Sequence, residues 1–582
     1  MTREGNVHAM SRMITRALRL LLPLAVLGAC ATQPGAEAHP ETMARPSGAV
    51  SSADPRASEA GREILRAGGS ASDAAIAMML ALTVVEPQSS GIGGGGFFIH
   101  HDASGDKVDS YDGRETAPAA ATPTYFFVDG KLLPRAQAVP GGRSVGVPGN
   151  IRMMAKVHGQ HGALAWARLF DPAIRLARDG FTITPRLHRA LAANKDDILS
   201  PWAQAQFFGP DGQPKPVGTV LRNPELAAFL ETLAARGPDS FYVGPAAADL
   251  VQTVVNAPRN PAPMTLGDLA SYDAKQRDPL CGAYRGYRIC GMGPPSSGGT
   301  TVYAILKQLE GYDLAGMGKD SPLAWHLIAE SMRLAYADRE VYLADPDFVS
   351  IPVKGLMDPA YLAERARLIS QDRAIAKVTA GKPAGSQAMP AAADSEVPAT
   401  SHMVAVDSAG NVANVTSTIE GAFGSGLTSN GYFLNNELTD FTLIPEKDGL
   451  PVGNRVEGGK RPRSSMAPTI VYGPDGKVRI ALGAAGGTTI IAQIAKALIG
   501  VLDWNLSAQD AIALPQLIGM GDRVTVERGT ALEAMIPALA TLGTKAVPAG
   551  PSFKANAVEW TPSGWRGAAD PRSEGVALAE QE

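Results

Sequence analysis

Cysteine is scarce, with three residues among 582. So few exclude a disulfide-stapled scaffold or a four-cysteine zinc module as the organising principle. Positive charge is not in excess either. The formal net charge is −4, which excludes the basic footprint of a nucleic-acid binder. Aromatic residues make up 6% and charged residues 19%. His158 and His161 form an HxxH pair, but no further ligands cluster near them, so no metal is expected. There is no GxSxG elbow and no phosphate-binding loop. No uncharged segment approaches the roughly 20 apolar residues of a membrane-spanning helix. What is abundant is glycine (63) and proline (44), which predicts tight turns and irregular loops. A hydrophobic fraction of 45% over this length suits a soluble body with a large core. By length alone it would hold roughly three or four domains.

The first 29 residues are expected to be an export signal. Arg12, Arg16 and Arg19 precede a short apolar run, Leu20 to Leu27. The run ends Leu27-Gly28-Ala29-Cys30, which resembles a bacterial lipobox and makes Cys30 a lipidation candidate. The expected location is therefore periplasmic, with a lipid anchor on Cys30. Residues 30–53 are rich in Ala, Pro, Ser and Gly and read as a tether.

Asp73 to Leu82 reads as a buried helix and Ala324 to Tyr342 as an amphipathic one, within a region (150–370) that looks mostly helical. Gly91-Ile-Gly-Gly-Gly-Gly96 contains a literal GxGxxG. It follows a helix and precedes the strand Phe97–Ile99, the reverse of the dinucleotide fingerprint, so a nucleotide-binding reading is rejected. His100 and His101 fall at that strand's end. Residues 372–399 turn to Ala, Pro, Gly and Ser, the composition of a mobile, solvated loop. At Thr400 strand-like sequence begins abruptly.

Two hairpins can be registered from sequence. An Arg285-Gly286 turn places Cys281 opposite Cys290 at a non-hydrogen-bonded site, where Cα atoms lie about 4.5 Å apart, within disulfide range. Strands His402–Asp407 and Asn411–Thr418 flank Ser408-Ala409-Gly410, a three-residue loop with Gly in its left-handed place. Counting outward sets Thr400 opposite Thr418, within side-chain reach. Taken alone, such a pair is a sheet contact. If Thr400 became a chain terminus, its amine, with a reference pKa near 8, could act as general base for its own hydroxyl.

Thr400-Ser-His402, Gly410-Asn411, Thr416-Ser-Thr418-Ile-Glu420 and Phe423-Gly424 together resemble the gamma-glutamyltransferase signature. Val404 and Asn414 depart from it, where the family usually carries Ser or Thr and a small residue. The resemblance extends over nearly the whole mature chain. It includes Gly91–Gly96, Tyr111-Asp-Gly-Arg-Glu-Thr-Ala-Pro118, Pro294-Pro-Ser-Ser-Gly-Gly299 and Tyr336-Ala-Asp-Arg339. It continues through Leu434-Asn-Asn-Glu-Leu-Thr-Asp-Phe441, Lys460-Arg-Pro-Arg-Ser-Ser-Met466, Gly486-Gly487 and Asp570-Pro-Arg572.

The resemblance implies a four-layer αββα sandwich of the N-terminal nucleophile hydrolase type, an α/β (α+β) fold. Two chains would form it jointly after self-cleavage between Ala399 and Thr400. Residues 54–371 would form the large-subunit body, 372–399 the flexible segment before the cut, and 400–582 the small, catalytic subunit. Thr400 would be the nucleophile, Thr418 would orient it, and Gly486 and Gly487 would supply the oxyanion turn. Arg114, Ser464 and Ser465 match positions that hold a donor's α-carboxylate, a task suited to a guanidinium fork and hydroxyls. Glu420, Glu437 and Asp440 match those that hold its α-ammonium. Glutathione is the family's evident donor, water or an amine the acceptor, and no cofactor is implied. The rivals are a cephalosporin (glutaryl) acylase on the same fold and an uncleaved, inactive relative. Asp440 to Lys460 could be a lid over the site or an exposed turn.

Overall fold

The structure, a computed structural model, describes residues 47–105, 107–392, 399–550 and 553–581. The expected export signal, Cys30, most of the tether and residues 393–398 lie outside the described residues. In chain order the principal strands are β1 (Ala49–Ser52), β2 (Gly95–Asp102), β3 (Lys107–Asp112), β4 (Lys275–Arg277), β5 (Leu280–Tyr284), β6 (Tyr287–Gly291), β7 (Ser401–Val406), β8 (Val412–Thr418), β9 (Thr469–Tyr472), β10 (Val478–Ala485), β11 (Lys554–Thr561), β12 (Gly564–Ala569) and β13 (Val576–Ala579). A seven-stranded sheet runs β13-β1-β7-β8-β2-β3-β4, and a six-stranded sheet runs β12-β11-β10-β9-β6-β5. Strands β7 and β8 lie at the middle of the first sheet and pack face to face on β10 and β11 of the second.

Helices α1 (Pro55–Arg66) and α2 (Ala71–Val85) cover the outer face of the first sheet. Helices α3 (Gly298–Leu309), α4 (Pro322–Tyr342) and α5 (Ile490–Leu502) lie on the outer side of the second. The order is helix, sheet, sheet, helix, as expected. Period-two alternation of β7 explains why. Met403 and Ala405 enter the core under α2, whereas Val404 and Val406 enter the core between the sheets. Both faces of this strand are buried, so it reads as a continuous apolar run.

Local signals explain the helices that frame the site. Ser70 caps α2, its hydroxyl accepting from the Asp73 amide while Asp73 bonds back to the Ser70 amide. All of α2 is buried, in line with its apolar sequence. Helix α4 starts at a Ser321 cap and corrects one expectation: it is buried on nearly every side rather than amphipathic. It packs against α3 and against the strand Leu517–Met520, so both of its faces are covered.

A second correction concerns the tether. Its last residues, Ala49–Ser52, form β1, paired on one side with β7 and on the other with β13. Four small residues carry too little periodicity to read as a strand; the two neighbouring edges make them one. Residues 372–392 are irregular, as their composition predicts, yet they are pinned. Glu330 accepts from the Ile375 amide at 2.6 Å, Asp338 from the Gly381 amide at 2.7 Å, and the Glu340 carbonyl from the Ala392 amide at 3.1 Å. All three acceptors lie on α4, so the segment follows that helix rather than moving freely in solvent.

Both sequence-registered hairpins form. Cys281 pairs with Cys290 and is disulfide-bonded to it, with Cα atoms 4.1 Å apart. Ser401 pairs with Ser417 around a loop closed by the Asp407 and Asn411 backbones, with Gly410 at φ 90°. The glycine run Gly91–Gly96 leads from α2 into β2. A Cβ on Gly94 would lie 1.9 Å from the Thr418 carbonyl oxygen, so glycine is what allows this loop to back the end of β8. His158 bonds the Leu164 carbonyl, and His161 stacks on His100 with centroids 3.8 Å apart.

Candidate active site

The hairpin delivers Thr400 and Thr418 to the same end of the inter-sheet layer. The Thr400 hydroxyl donates to the Thr418 Oγ1 at 3.0 Å, and Thr418 also accepts from the Glu420 amide at 2.8 Å. Thr400 is 4% exposed and Thr418 2%. Thr400 has φ 120°, a conformation that a β-branched residue adopts only when its surroundings over-determine it. The strain sits at the Ala399–Thr400 junction, the bond expected to break.

Beneath Thr400 the same face of the hairpin is wired to the opposite sheet. His402 Nδ1 lies 2.9 Å from the Thr416 hydroxyl. Burial depresses the His402 imidazole to a pKa of about 3, so the ring is neutral. Asn414 donates to the Thr469 and Leu482 carbonyls at 2.9 and 3.0 Å. Asn414, the apparent departure from the motif, is thus a clamp between the two sheets, and Val404 is core.

One cavity of about 30 Å³ is lined by Thr400, Thr418, Gly487 and all six expected substrate-binding residues: Arg114, Glu420, Glu437, Asp440, Ser464 and Ser465. Gly486 lines the adjoining cavity. The Gly486–Gly487 turn has φ values of 135° and 59°, which glycine accommodates without a side-chain penalty, and it leads directly into α5.

The chain pairs most of the charges in this cavity itself, although the buried Glu437 Oε2 has no hydrogen-bond partner among the described residues. Arg114 is fully buried. It donates to Glu437, to Asp440 at 2.6 Å, and to the Pro462 and Arg463 carbonyls at 3.1 and 3.0 Å. Burial works against the Arg114 charge, but Glu437, Asp440 and Glu115 outweigh it and raise its pKa. Glu420 is paired with Arg135 at 3.2 Å and accepts from the Asn436 amide group. Ser465 accepts from Arg339 at 2.7 Å, and Ser464 accepts from the Met466 amide at 3.1 Å. A space of this size holds a water or two.

Sequence reasoning missed four groups. Glu115, fully buried, has its Oε2 3.8 Å from Arg114, and neither carboxylate oxygen has a hydrogen-bond partner among the described residues. Burial raises the Glu115 and Glu437 pKa values, with Arg114 opposing. The site therefore holds more buried carboxylate than cation. Arg135 reaches Glu420 from the start of a one-turn helix, Arg135–Ala138, whose sequence carries no functional signal. Glu86, at the end of α2, and Lys554, at the start of β11, form a buried ion pair of 2.9 Å. Ser401 donates to Glu86 at 2.6 Å, and Lys554 approaches the Ser401 hydroxyl at 3.4 Å. Lys554 pairs across the sheet with Ala485, next to the glycine turn. This network therefore connects the strand carrying Thr400 with the strand carrying Gly486.

Two facing sheets between helical layers, with a threonine hydroxyl at the head of a central strand, define the N-terminal nucleophile hydrolase class. Comparison with known proteins narrows this. The model of the gamma-glutamyltranspeptidase family matches residues 57–580, and the chain belongs to that family of enzymes. It is 38% identical over 480 residues to a glutathione hydrolase proenzyme of Bacillus subtilis (strain 168), covering 81% of this chain and 80% of the relative. It is 35% identical over 543 residues to the acylase ACY 1 proenzyme of Pseudomonas sp. (strain SE83), covering 91% and 93%. Among solved structures, a cephalosporin acylase from Bacillus halodurans superposes with a TM-score of 0.81 at 26% identity, covering 94% of this chain and 99% of that one. The Helicobacter pylori gamma-glutamyltranspeptidase superposes with a TM-score of 0.55 at 36% identity, covering 57% and 95%.

Proposed function

We propose that the chain is a self-processing gamma-glutamyltransferase acting on gamma-glutamyl amides such as glutathione. The observation that carries this reading is one cavity holding the Thr400–Thr418 hydroxyl contact at one end and Arg114 between Glu437 and Asp440 at the other. A gamma-glutamyl group carries a carboxylate and an ammonium on one carbon, and this end offers a partner to each.

Processing comes first. The Thr400 hydroxyl attacks the Ala399 carbonyl, the peptide C–N bond breaks to free the Thr400 amine and leave an Ala399 ester on Oγ1, and water hydrolyses that ester to release the hydroxyl and the Ala399 carboxylate. Strain at Thr400 is relieved as that bond opens. The products are a large chain ending at Ala399 and a small chain, 400–582, which remain together because β7 lies between β1 and β8. In turnover the free amine takes the hydroxyl proton as Oγ1 attacks the γ-carbonyl. The backbone N–H groups of the Gly486–Gly487 turn receive the oxyanion. The C–N bond breaks, the amine leaves with the proton, and a gamma-glutamyl ester remains on Thr400. Water or a second amine then attacks the ester by the same steps reversed. Export to the periplasm with a lipid on Cys30 completes the proposal.

The second reading is glutaryl acylase activity, favoured by the greater coverage of the acylase relatives. A glutaryl donor has no α-ammonium. Three carboxylates around Arg114 and a fourth on Arg135 would then have nothing further to bind. The test is sequencing of the purified small fragment together with the ratio of gamma-glutamyl- to glutaryl-p-nitroanilide hydrolysis. An N-terminus reading Thr-Ser-His-Met and a ratio well above one support the proposal. An intact, fully active chain overturns the processing step, and a ratio below one overturns the donor.

A further inference from the structure

Arg114 is joined by a second cation at the acids of the donor cavity. Arg135 begins the one-turn helix Arg135–Ala138, on a segment anchored where the Gly141 amide donates to the Ser425 carbonyl at 2.9 Å. Its guanidinium lies 3.2 Å from the Glu420 carboxylate and 3.9 Å from that of Asp440, and it donates to the Thr439 carbonyl. Asp440 is therefore shared between two arginines: Oδ2 accepts from Arg114 at 2.6 Å, and Oδ1 is the oxygen nearest Arg135. Glu420 and Asp440 line the cavity, whereas Arg135 touches them from outside its wall, with its side chain 30% exposed. Neither acid depends on Arg135 for its place. The Glu420 amide donates to Thr418 and its carboxylate accepts from Asn436, while Asp440 keeps its bond to Arg114. What Arg135 adds is charge. Among the described residues this cluster sets the carboxylates Glu115, Glu420, Glu437 and Asp440 against Arg114 and Arg135. An ammonium by itself would be served best by the acids without Arg135. A donor's carboxylate is repelled by those same acids, and Coulomb interactions at such separations reach across the whole cluster.

We propose that Arg135 is a specificity-determining residue of the donor site: it offsets the acids at Glu420 and Asp440, so that the site admits a donor bringing a carboxylate beside its ammonium and disfavours one bringing an ammonium alone. Arg135 touches no reacting atom. It acts through the two acids it faces, on donor binding rather than on the attack by Thr400. The inference rests on the gamma-glutamyl reading of the donor site.

The experiment measures kcat and KM of the processed enzyme for three donors. Gamma-glutamyl-p-nitroanilide carries both charges, its α-carboxamide keeps only the ammonium, and glutaryl-p-nitroanilide keeps only the carboxylate. Arg135→Gln removes the charge and retains a donor for the Thr439 carbonyl; Arg135→Lys retains the charge. In Arg135→Gln the kcat/KM ratio of free acid to α-carboxamide should fall about fivefold, the scale of one partly exposed charge a few ångströms from the donor. The change should lie in KM, and the glutaryl donor should lose at least as much as the free acid. Arg135→Lys should keep the ratio within about twofold of wild type. Arg135→Met, which keeps the apolar stem, repeats the measurement should the Gln variant fail to accumulate. An unchanged acid-to-carboxamide ratio in the neutral variants overturns the proposal. An equal loss for all three donors also overturns it, and assigns Arg135 to holding its segment in place. A wild-type enzyme that cleaves the glutaryl donor faster than gamma-glutamyl-p-nitroanilide overturns the donor reading instead, whatever the Arg135 variants do, so the two failures are distinguishable.

Discussion

Replacing Thr418 by Val tests the hydroxyl dyad with almost no change of shape. The substitution removes the acceptor of the Thr400 hydroxyl, 3.0 Å away, and of the Glu420 amide, 2.8 Å away. The two losses affect different observables. A neutral hydrogen bond contributes about 0.5–1.5 kcal/mol net. If the Thr400 bond orients the nucleophile at about 1–1.5 kcal/mol, kcat falls roughly 5- to 10-fold. Self-cleavage, which uses the same hydroxyl, slows by a similar factor. The Glu420 amide is then a buried donor without a partner, which costs about 1–3 kcal/mol of stability. Thr418→Ser retains both bonds and should recover most of the rate and of the stability. The assays are a denaturing-gel time course of fragment appearance, steady-state hydrolysis of gamma-glutamyl-p-nitroanilide, and chemical denaturation of the processed protein. Wild-type kcat and processing in Thr418→Val would refute the dyad. Equal loss in Val and Ser variants would assign the effect to packing rather than to the hydroxyl.

Asp440→Asn removes a charge-assisted bond to Arg114 worth about 1.5–3 kcal/mol; kcat/KM for gamma-glutamyl-p-nitroanilide should drop at least about tenfold, with a much smaller loss for the glutaryl analogue. Because burial raises the Glu437 pKa, KM for gamma-glutamyl donors should fall as pH rises from mildly acidic values, and Glu437→Gln should abolish that trend while leaving the pH dependence of kcat. Burial lowers Lys554 from 10.5 to about 8 in the folded state. The unfolded chain therefore holds that proton between about pH 8 and 10.5 when the folded chain does not, so this group's contribution to stability rises across that window and is lost as pH falls through 8. Denaturation midpoints measured across it should lose this component in Lys554→Met. Glu86→Gln leaves the Lys554 charge buried without its counter-ion, a change on the order of 3–5 kcal/mol, and should lower kcat more than it raises KM, because the pair positions Thr400 against the glycine turn.

Local grammar was sufficient for much of this molecule. A two-residue turn placed Cys281 against Cys290, and a three-residue loop ending in Gly410 placed Thr400 against Thr418, because antiparallel register follows from turn length and a period of two. The αββα order and the expected pocket residues came through resemblance of motifs, and one cavity gathers them. Tertiary structure alone decided how those residues meet. Arg114 and Glu437 are 323 positions apart, and no local pattern says that they neutralise each other rather than wait singly for a ligand. Glu86 and Lys554, 468 positions apart, join the end of α2 to the start of β11. Ala49–Ser52, compositionally a tether, became a strand because two edges flank it. In each case the deciding energy is a buried charge or an unpaired backbone seeking its partner. Which partner it finds depends on how the layers pack, and a one-dimensional pattern does not contain that distance.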